Sequence, residues 1–405
     1  MFKQVIVWLR LNSSSRHIFC LTLLVLFSLE IEGARGSSAH TLRHHSPLIN
    51  SPDQQPAGAQ SSVQNATVVA LEPGRAIERE ISSGETHNYR VTAGTGDFVG
   101  VTVRQIGVDV GEKLFAPDGK LIAAFNAEVR PQGEERADFV AETEGTYQLD
   151  VEPQLRGATG RYEIRLMEVR PSTEFERELH ETHKLLAQAD SLADADKYND
   201  MLPLLTRALE LGEKTLGPDD PYVAYLLVKL GRCDDTVGNF AQAERLFERA
   251  LAVDKQKLGL EHPQTAEALD HLGSVYIFTN EHAKAEELLQ QSLTLTEQAL
   301  GSDHPRVIDV LRNLGVLYYY RGDLARAEQA TARSLAIADK VIAPDDFRLV
   351  QVLNNLGQIY SANRDYARAE PLLSRSLEIA EKKFGSESFT LSMQLQNLGL
   401  IAQSA

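Results

Sequence analysis

The sequence contains only two cysteines, Cys20 and Cys233. Cys20 lies in an apolar N-terminal run that we expect to be removed on export, so the mature chain would keep a single thiol and no internal disulfide. Basic clusters are also missing: Asp and Glu number 57 against 41 Lys and Arg, a net charge of −16. Nucleic-acid binding depends on clustered Lys and Arg, so we expect no nucleic-acid partner.

Recognisable catalytic motifs are absent from the sequence. It has no Gly-rich phosphate loop and no Gly-x-Ser-x-Gly turn, the signatures of phosphate binding and of an exposed nucleophilic serine. His180 and His183 have a spacing that can hold a metal, but no third ligand is nearby, and we expect both to face solvent. Cys233 has no histidine in its own segment to activate it. The sequence therefore predicts no enzyme activity, no cofactor and no metal.

The N-terminus has the layout of a secretory signal peptide. Basic residues precede an apolar run at 18–29, and small residues follow it. The run is too short to span a bilayer comfortably. We predict a signal peptide over 1–39, cleaved after Gly36 or Ala39, with export to the periplasm or the exterior and no transmembrane span afterwards. The alternative is an uncleaved amphipathic anchor.

Two regions of different composition follow the signal peptide. Residues 40–65 are rich in Ser, Pro, Gln and Asn without apolar periodicity, which predicts a flexible linker. Across 66–170, short runs alternate apolar and polar residues between turn residues such as Asp118-Gly119. This pattern predicts an antiparallel β-sandwich. The segments 108–121 and 144–151 resemble the bacterial pre-peptidase C-terminal domain, a small β-sandwich found on secreted enzymes and scaffolds. The resemblance implies a contact with a cell-envelope component or glycan.

From 174 onward the chain repeats itself every 42 residues. A Leu-Gly pair recurs, with its glycine at Gly231, Gly273, Gly315, Gly357 and Gly399. A fixed period of this length indicates stacked supersecondary units. Within one unit, Leu311, Leu314, Gly315 and Tyr318 form an apolar stripe on a first helix that starts at Pro305. Small residues such as Ala327 lie on the second helix, where the two helices are expected to cross.

The Leu-Gly-x-x-Tyr phrase and the later alanines resemble the tetratricopeptide repeat. The 42-residue period and phrases such as 300–305 (LGSDHP) are closest to the kinesin light chain type. This resemblance implies a superhelix of about five helix pairs plus a terminal helix over 174–405, with a concave groove lined mainly by first helices. Residues 174–214 would be a degenerate first repeat, with Ala189 in place of the glycine.

The fold class is thus predicted as multidomain: an N-terminal all-β sandwich followed by an all-α solenoid of tetratricopeptide type. This combination resembles the non-catalytic part of bacterial proteins that continue into a caspase-like CHAT domain. The His/Cys pair of such a domain is not in the sequence.

A partner-binding groove follows from winding the first helix at about 100° per residue. One side carries the core, and the opposite side carries a polar set that we predict to line the groove. A column of asparagines suits the backbone of an extended peptide, since an amide both donates and accepts. The alternative is that duplicated repeats inherited a tolerated surface residue. The predicted groove residues are Lys229, Arg232, Asp270, His271, Ser274, Arg312, Asn313, Tyr319, Tyr320, Asn354, Asn355, Gln358 and Asn397.

Three functional hypotheses remain at this point. The first is an exported scaffold that binds a protein or peptide in the groove. The second is a regulatory or targeting part of a secreted hydrolase system of the CHAT-peptidase type. The third is a chain that lacks the catalytic domain following it.

Overall fold

The computed structural model describes residues 68–125, 132–194 and 197–384. The predicted signal peptide, the predicted linker and Asn397 lie outside these ranges. Within them, a β region is followed by a helical region, which confirms the predicted fold class. Among the described residues, no helix combines the length and apolar character needed to cross a membrane.

The β region forms two sheets. One has the strand order β1-β3-β9-β5-β6, and the other has the order β2-β10-β4-β7 with β8 paired to β4. All pairings are antiparallel except that of β1 with β3. The strands are β1 (Val69–Ala70), β2 (Ala76–Ser82), β3 (His87–Ala93), β4 (Asp97–Ile106), β5 (Val110–Phe115), β6 (Leu121–Phe125), β7 (Gln132–Arg136), β8 (Phe139–Val140), β9 (Gly145–Pro153) and β10 (Thr159–Pro171).

The two sheets share one apolar core. Tyr89 and Leu149 from the first sheet pack with Val101 and Ile164 from the second, all nearly inaccessible to solvent. Such alternation of buried and exposed residues is what the period of two predicts. The turn between β5 and β6 contains Gly119 at φ +83°, a left-handed conformation that favours glycine.

Ten helices follow within the described residues, and they form five antiparallel pairs. They are α1 (Glu174–Asp194), α2 (Tyr198–Leu216), α3 (Pro221–Thr236), α4 (Phe240–Lys257), α5 (Pro263–Phe278), α6 (His282–Leu300), α7 (Pro305–Tyr320), α8 (Leu324–Val341), α9 (Phe347–Ala362) and α10 (Tyr366–Phe384). One apolar core runs continuously from Leu186 on α1 to Ala380 on α10. The terminal helix predicted after these pairs lies outside the described residues.

The recurring glycine is required by close packing within each pair. A Cβ added to Gly357 on α9 would lie 2.6 Å from Leu373 Cγ on α10, well inside van der Waals contact. A Cβ added to Gly231 would overlap Phe247 in the same way, and one added to Gly273 would overlap Leu289. The first pair accommodates Ala189, which is fully buried. A degenerate first repeat is therefore still packed as a helix pair.

In four of the first helices, α3, α5, α7 and α9, the start is fixed by a side-chain cap at equivalent positions of the repeat. The Nδ1 of His262 accepts a hydrogen bond from the Gln264 N–H at 3.3 Å, and that of His304 accepts from Arg306 N–H at 3.2 Å. Asp220 and Asp346 cap α3 and α9 in the same way. Such caps satisfy backbone donors that the first turn leaves free. The histidines of this column therefore belong to turn structure.

Candidate partner-binding groove

Successive first helices line one concave cavity of about 480 Å³. It extends from Asp190 on α1 to Gln351 on α9, and we call it the groove. Seven of the predicted residues line it: Lys229, Arg232, Asp270, His271, Ser274, Arg312 and Asn313. The sequence-derived helical wheel therefore identified the face of the first helices that surrounds the cavity. Tyr319, Tyr320, Asn354, Asn355 and Gln358 are outside the cavity lining.

Three of the predicted residues are buried, whereas the wheel placed Asp270 and Asn354 outward and Asn313 at the edge of the outward set. Asp270 and Asn313 are each 4% exposed, and Asn354 is 9% exposed. Asn313 Nδ2 donates a hydrogen bond to Asp270 Oδ1 at 2.9 Å, which ties α7 to α5. A wheel for one isolated helix omits the neighbouring first helix, and that helix covers these positions. The Asn313 amide is thus already engaged, while a partner contact by Asn355 stays a prediction.

Further polar pairs connect neighbouring first helices along the groove. Lys229 Nζ lies 3.0 Å from Asp190 Oδ1, and Arg306 lies 3.0 Å from Glu267. Although burial opposes the shift, Arg306 and His271 hold the pKa of Glu267 well below its ordinary value. These charged side chains already form ion pairs with each other, so they connect neighbouring first helices along the groove.

Three charged side chains, Asp235, Arg312 and Arg232, line one part of the groove. Asp235 Oδ1 and Arg312 Nε are shielded from solvent and have no hydrogen-bond partner among the described residues. Burial raises the pKa of Asp235 to about 6, against the opposing effect of His271, Arg312 and Arg232. Arg232 is exposed at the edge of the cavity. A carboxylate acceptor and two guanidinium donors are thus placed together, a set that matches the amide groups of a peptide backbone.

An exposed row of aromatic rings adjoins the groove at the C-terminal ends of α5 and α7. Phe278 is 41% exposed and Tyr320 is 45% exposed. The Phe278 ring stacks on Phe240 at 5.5 Å and meets Tyr320 edge-on at 6.1 Å, and Tyr320 in turn contacts Tyr319. We call these four residues the aromatic ledge. Exposed apolar patches of this kind are typical of interaction sites.

Sequence analysis missed several residues of the site, although the repeat contained the signal. Phe278 stands one period of 42 residues before Tyr320, so the same column would have identified it. Asp190 precedes Arg232 by the same step. Both Phe278 and Asp190 could have been found by stepping back 42 residues from each predicted groove residue. The missed residues that line the groove include Asp190, Asp235, Glu267, Phe278, Arg306 and Arg348.

The surroundings of Cys233, His180 and His183 do not favour catalysis or metal binding. Cys233 is buried, its Sγ lies 3.2 Å from the Tyr198 carbonyl, and burial raises the pKa of its thiol to about 11. A thiol in that state is a poor nucleophile at neutral pH. His180 is 5% exposed, so the expectation that it faces solvent was wrong. Among the described residues, no three or more His, Cys, Asp or Glu side chains come together in a group that could hold a metal ion.

Comparison with known families identifies the repeats. Residues 181–256, 236–298 and 264–340 match a model described as Tetratricopeptide repeat, and 349–389 match a second model of the same description. The helical region is therefore built of tetratricopeptide repeats. No curated protein is significantly similar to the chain.

Solved structures similar to this chain include BtubC (BKLC) from P. vanneervenii, with 23% identity, a TM-score of 0.38, and coverage of 54% of this chain and 95% of that one. Another is a putative kinesin light chain repeat protein from Podosopora anserina, with 22% identity, a TM-score of 0.39, and coverage of 52% and 100%. The Rap protein complexed with competence and sporulation factor has 17% identity, a TM-score of 0.46, and coverage of 56% and 66%. At such scores these similarities carry no functional argument.

Proposed function

We propose that this protein is an exported interaction scaffold that holds a peptide or protein partner in the groove. The observation that carries the proposal is the convergence of equivalent residues from successive repeats on one cavity. Repeat arrays stack into extended concave surfaces that serve for binding. The exposed Arg232 and the partly exposed Arg312 of the groove, together with the adjoining aromatic ledge, add polar and apolar contacts for a partner.

Export is the second part of the proposal, and it rests on the N-terminal sequence pattern. N-terminal sequencing of protein from its native host tests it. A mature chain that begins near residue 37 or 40 supports export, whereas an intact Met1 in the cytoplasmic fraction contradicts it.

The absence of an enzymatic role is proposed on chemical grounds. Burial raises the pKa of the single thiol outside the N-terminal segment, that of Cys233, to about 11, so the thiol is protonated at neutral pH, and its Sγ lies 3.2 Å from the Tyr198 carbonyl oxygen. The two family models that match describe repeats, which serve in binding. The resemblance of the β region to the pre-peptidase C-terminal domain supports an envelope or glycan contact as a secondary role.

Affinity capture with groove variants tests the scaffold function. The bait is the chain from residue 40 onward, expressed with Arg232→Glu and Arg312→Glu together, beside the unchanged chain. Arg245→Glu on α4 is the matched control, because Arg245 is exposed and lies outside the groove. We expect a partner that the unchanged and control baits retain and the groove variant loses. Equal recovery by all three baits would exclude the groove as the binding site.

A further inference from the structure

The groove face of the first repeat is occupied by the β region. His180 stands in the same repeat column as Arg306 and Arg348, three and four periods later. His183 stands in the column of Glu267, Asp309 and Gln351. These later residues all line the groove. The two histidines are therefore the first-repeat members of the groove lining.

Contacts from β6 and from the β8–β9 connection cover both histidines. The Phe125 ring meets His183 edge-on at 5.4 Å, and Tyr222 of α3 meets the other side of His183 at 5.4 Å. Glu142 lies 3.9 Å from His180 Nε2 and 2.5 Å from Lys184 Nζ. Further along α1, Asp190 lines the open groove. The cover thus ends partway along α1.

We propose that the β region is an intramolecular cap on the first-repeat end of the groove, and that acidification releases this cap. Only its consequence for partner binding rests on the proposed function, because the release is a property of the chain alone.

Burial favours the neutral form of both imidazoles in the capped state. Neither ring nitrogen of His180, nor Nδ1 of His183, has a hydrogen-bond partner among the described residues. Burial, assisted by neighbouring His180, lowers the pKa of His183 to about 4. Burial also lowers the pKa of His180, with Glu142 opposing the shift and Lys184 reinforcing it. A cation at His183 would leave its buried Nδ1 proton without an acceptor, whereas Glu142, 3.9 Å from His180 Nε2, would compensate a cation at His180 in part.

The sign of the pH effect follows from these shifts. A histidine whose pKa is lower in the capped state than in the released state favours capping above its ordinary pKa of 6.5. That contribution is lost as the pH falls towards 4. For His183 alone, the equilibrium for release rises about twentyfold between pH 7 and pH 5, given a lowered pKa of about 4.

A second contact of the β region lies away from these histidines. The Arg156 N–H, between β9 and β10, donates to the Val341 carbonyl at 3.2 Å, where α8 ends. Arg170 bonds Glu176 at 3.0 Å at the start of α1. Neither contact contains a histidine, so acidification is expected to open the contact over His180 and His183 while these tethers hold.

Amide hydrogen exchange of the full chain at pH 7 and pH 5, corrected for intrinsic exchange rates, tests the cap. We expect opening in β6 and the first half of α1 to increase about twentyfold at pH 5, while amides that pair β4 with β10 keep their protection. His183→Phe retains a ring between Phe125 and Tyr222 but cannot be protonated. His183→Gln serves as a second non-titrating variant in case the first folds poorly.

In both variants, we expect most of the increase in opening of β6 and the first half of α1 between pH 7 and pH 5 to be lost. An unchanged pH effect in these variants, or none in the unchanged chain, would overturn the proposal. Either result leaves the scaffold function untouched, because no partner takes part in the measurement. If the cap opens yet the capture experiment fails, the groove hypothesis alone is rejected.

Discussion

Ser334 Oγ on α8 donates a hydrogen bond to the Ile308 carbonyl on α7 at 2.8 Å, across the point where the two helices cross. Ser292 and Ser376 make the same bond to Ala266 and Val350, at 2.7 and 3.1 Å. All three hydroxyls are fully buried. The small serine side chain thus allows the two helices to approach closely, and its hydroxyl adds a hydrogen bond to the backbone that recurs in three repeats.

Ser334→Ala tests this bond. The alanine preserves the close approach but removes the donor, so we expect a loss of about 1 kcal/mol in unfolding free energy. Ser302→Ala, in an exposed turn, is the control and should be neutral. Denaturant titration followed by circular dichroism measures both. Equal stability of the two variants would mean that the hydroxyl contributes only by its size.

A second prediction concerns the recurring glycine. Gly357→Ala should lower the unfolding free energy by roughly 1–3 kcal/mol because its Cβ would overlap Leu373. Intrinsic helix propensity alone favours the alanine by about 1 kcal/mol. The sign of the change in unfolding free energy therefore shows whether the overlap or the propensity dominates. The double variant with Leu373→Ala should suffer less than the sum of both changes. An additive result would show that Gly357 and Leu373 do not share the crossing.

The fold was predictable because the 42-residue period makes each repeat an independent copy of the same pattern. Leu-Gly, the alanines and the proline at the helix start fixed helix pairs and their cores without any tertiary information. The groove was predictable only in part. Asp270 and Asn313 are buried by a neighbouring helix that a single-helix wheel cannot include. His180 was expected to face solvent because its cover, the β region, is distant in sequence and does not belong to the repeat.

A third prediction uses a missing ion pair. Glu297 pairs with Arg333, and Asp339 pairs with Arg375 at 2.8 Å, each 36 residues apart on successive second helices. The equivalent positions one repeat earlier are Lys255 and Gln291. Gln291→Glu should create this pair and raise the unfolding free energy by about 0.2–1 kcal/mol at low salt. Gln291→Lys should lower it, and high salt should reduce both differences.

The Asp270–Asn313 bond gives a fourth prediction. Asn313→Ala would leave the buried Asp270 carboxylate without its donor and should cost roughly 1–3 kcal/mol. Adding Asp270→Ala removes the orphaned group, so the double variant should recover part of the loss. Thermal unfolding of the single and double variants measures the coupling. A neutral Asn313→Ala would instead favour the view that this asparagine column is an inherited, tolerated feature of duplicated repeats.

The last prediction is a pH dependence that arises within the second repeat. Asp254 on α4 is 2% exposed, and its Oδ1 has no hydrogen-bond partner among the described residues. Burial, with a smaller contribution from Glu267, raises the pKa of Asp254 to about 7.

A raised pKa in the folded state means that the protonated form of Asp254 stabilises the fold. Its contribution is complete below the ordinary pKa of 3.8 and is lost as the pH rises through about 7. Asp254→Asn keeps the shape but cannot ionise, so it should raise the melting temperature relative to the unchanged chain at pH 8 and not at pH 4. Asp200→Asn, at an exposed position on α2, controls for the change in net charge. If Asp254→Asn gives the same shift in melting temperature at both pH values, Asp254 is ionised in the folded chain throughout that range and has a partner when charged.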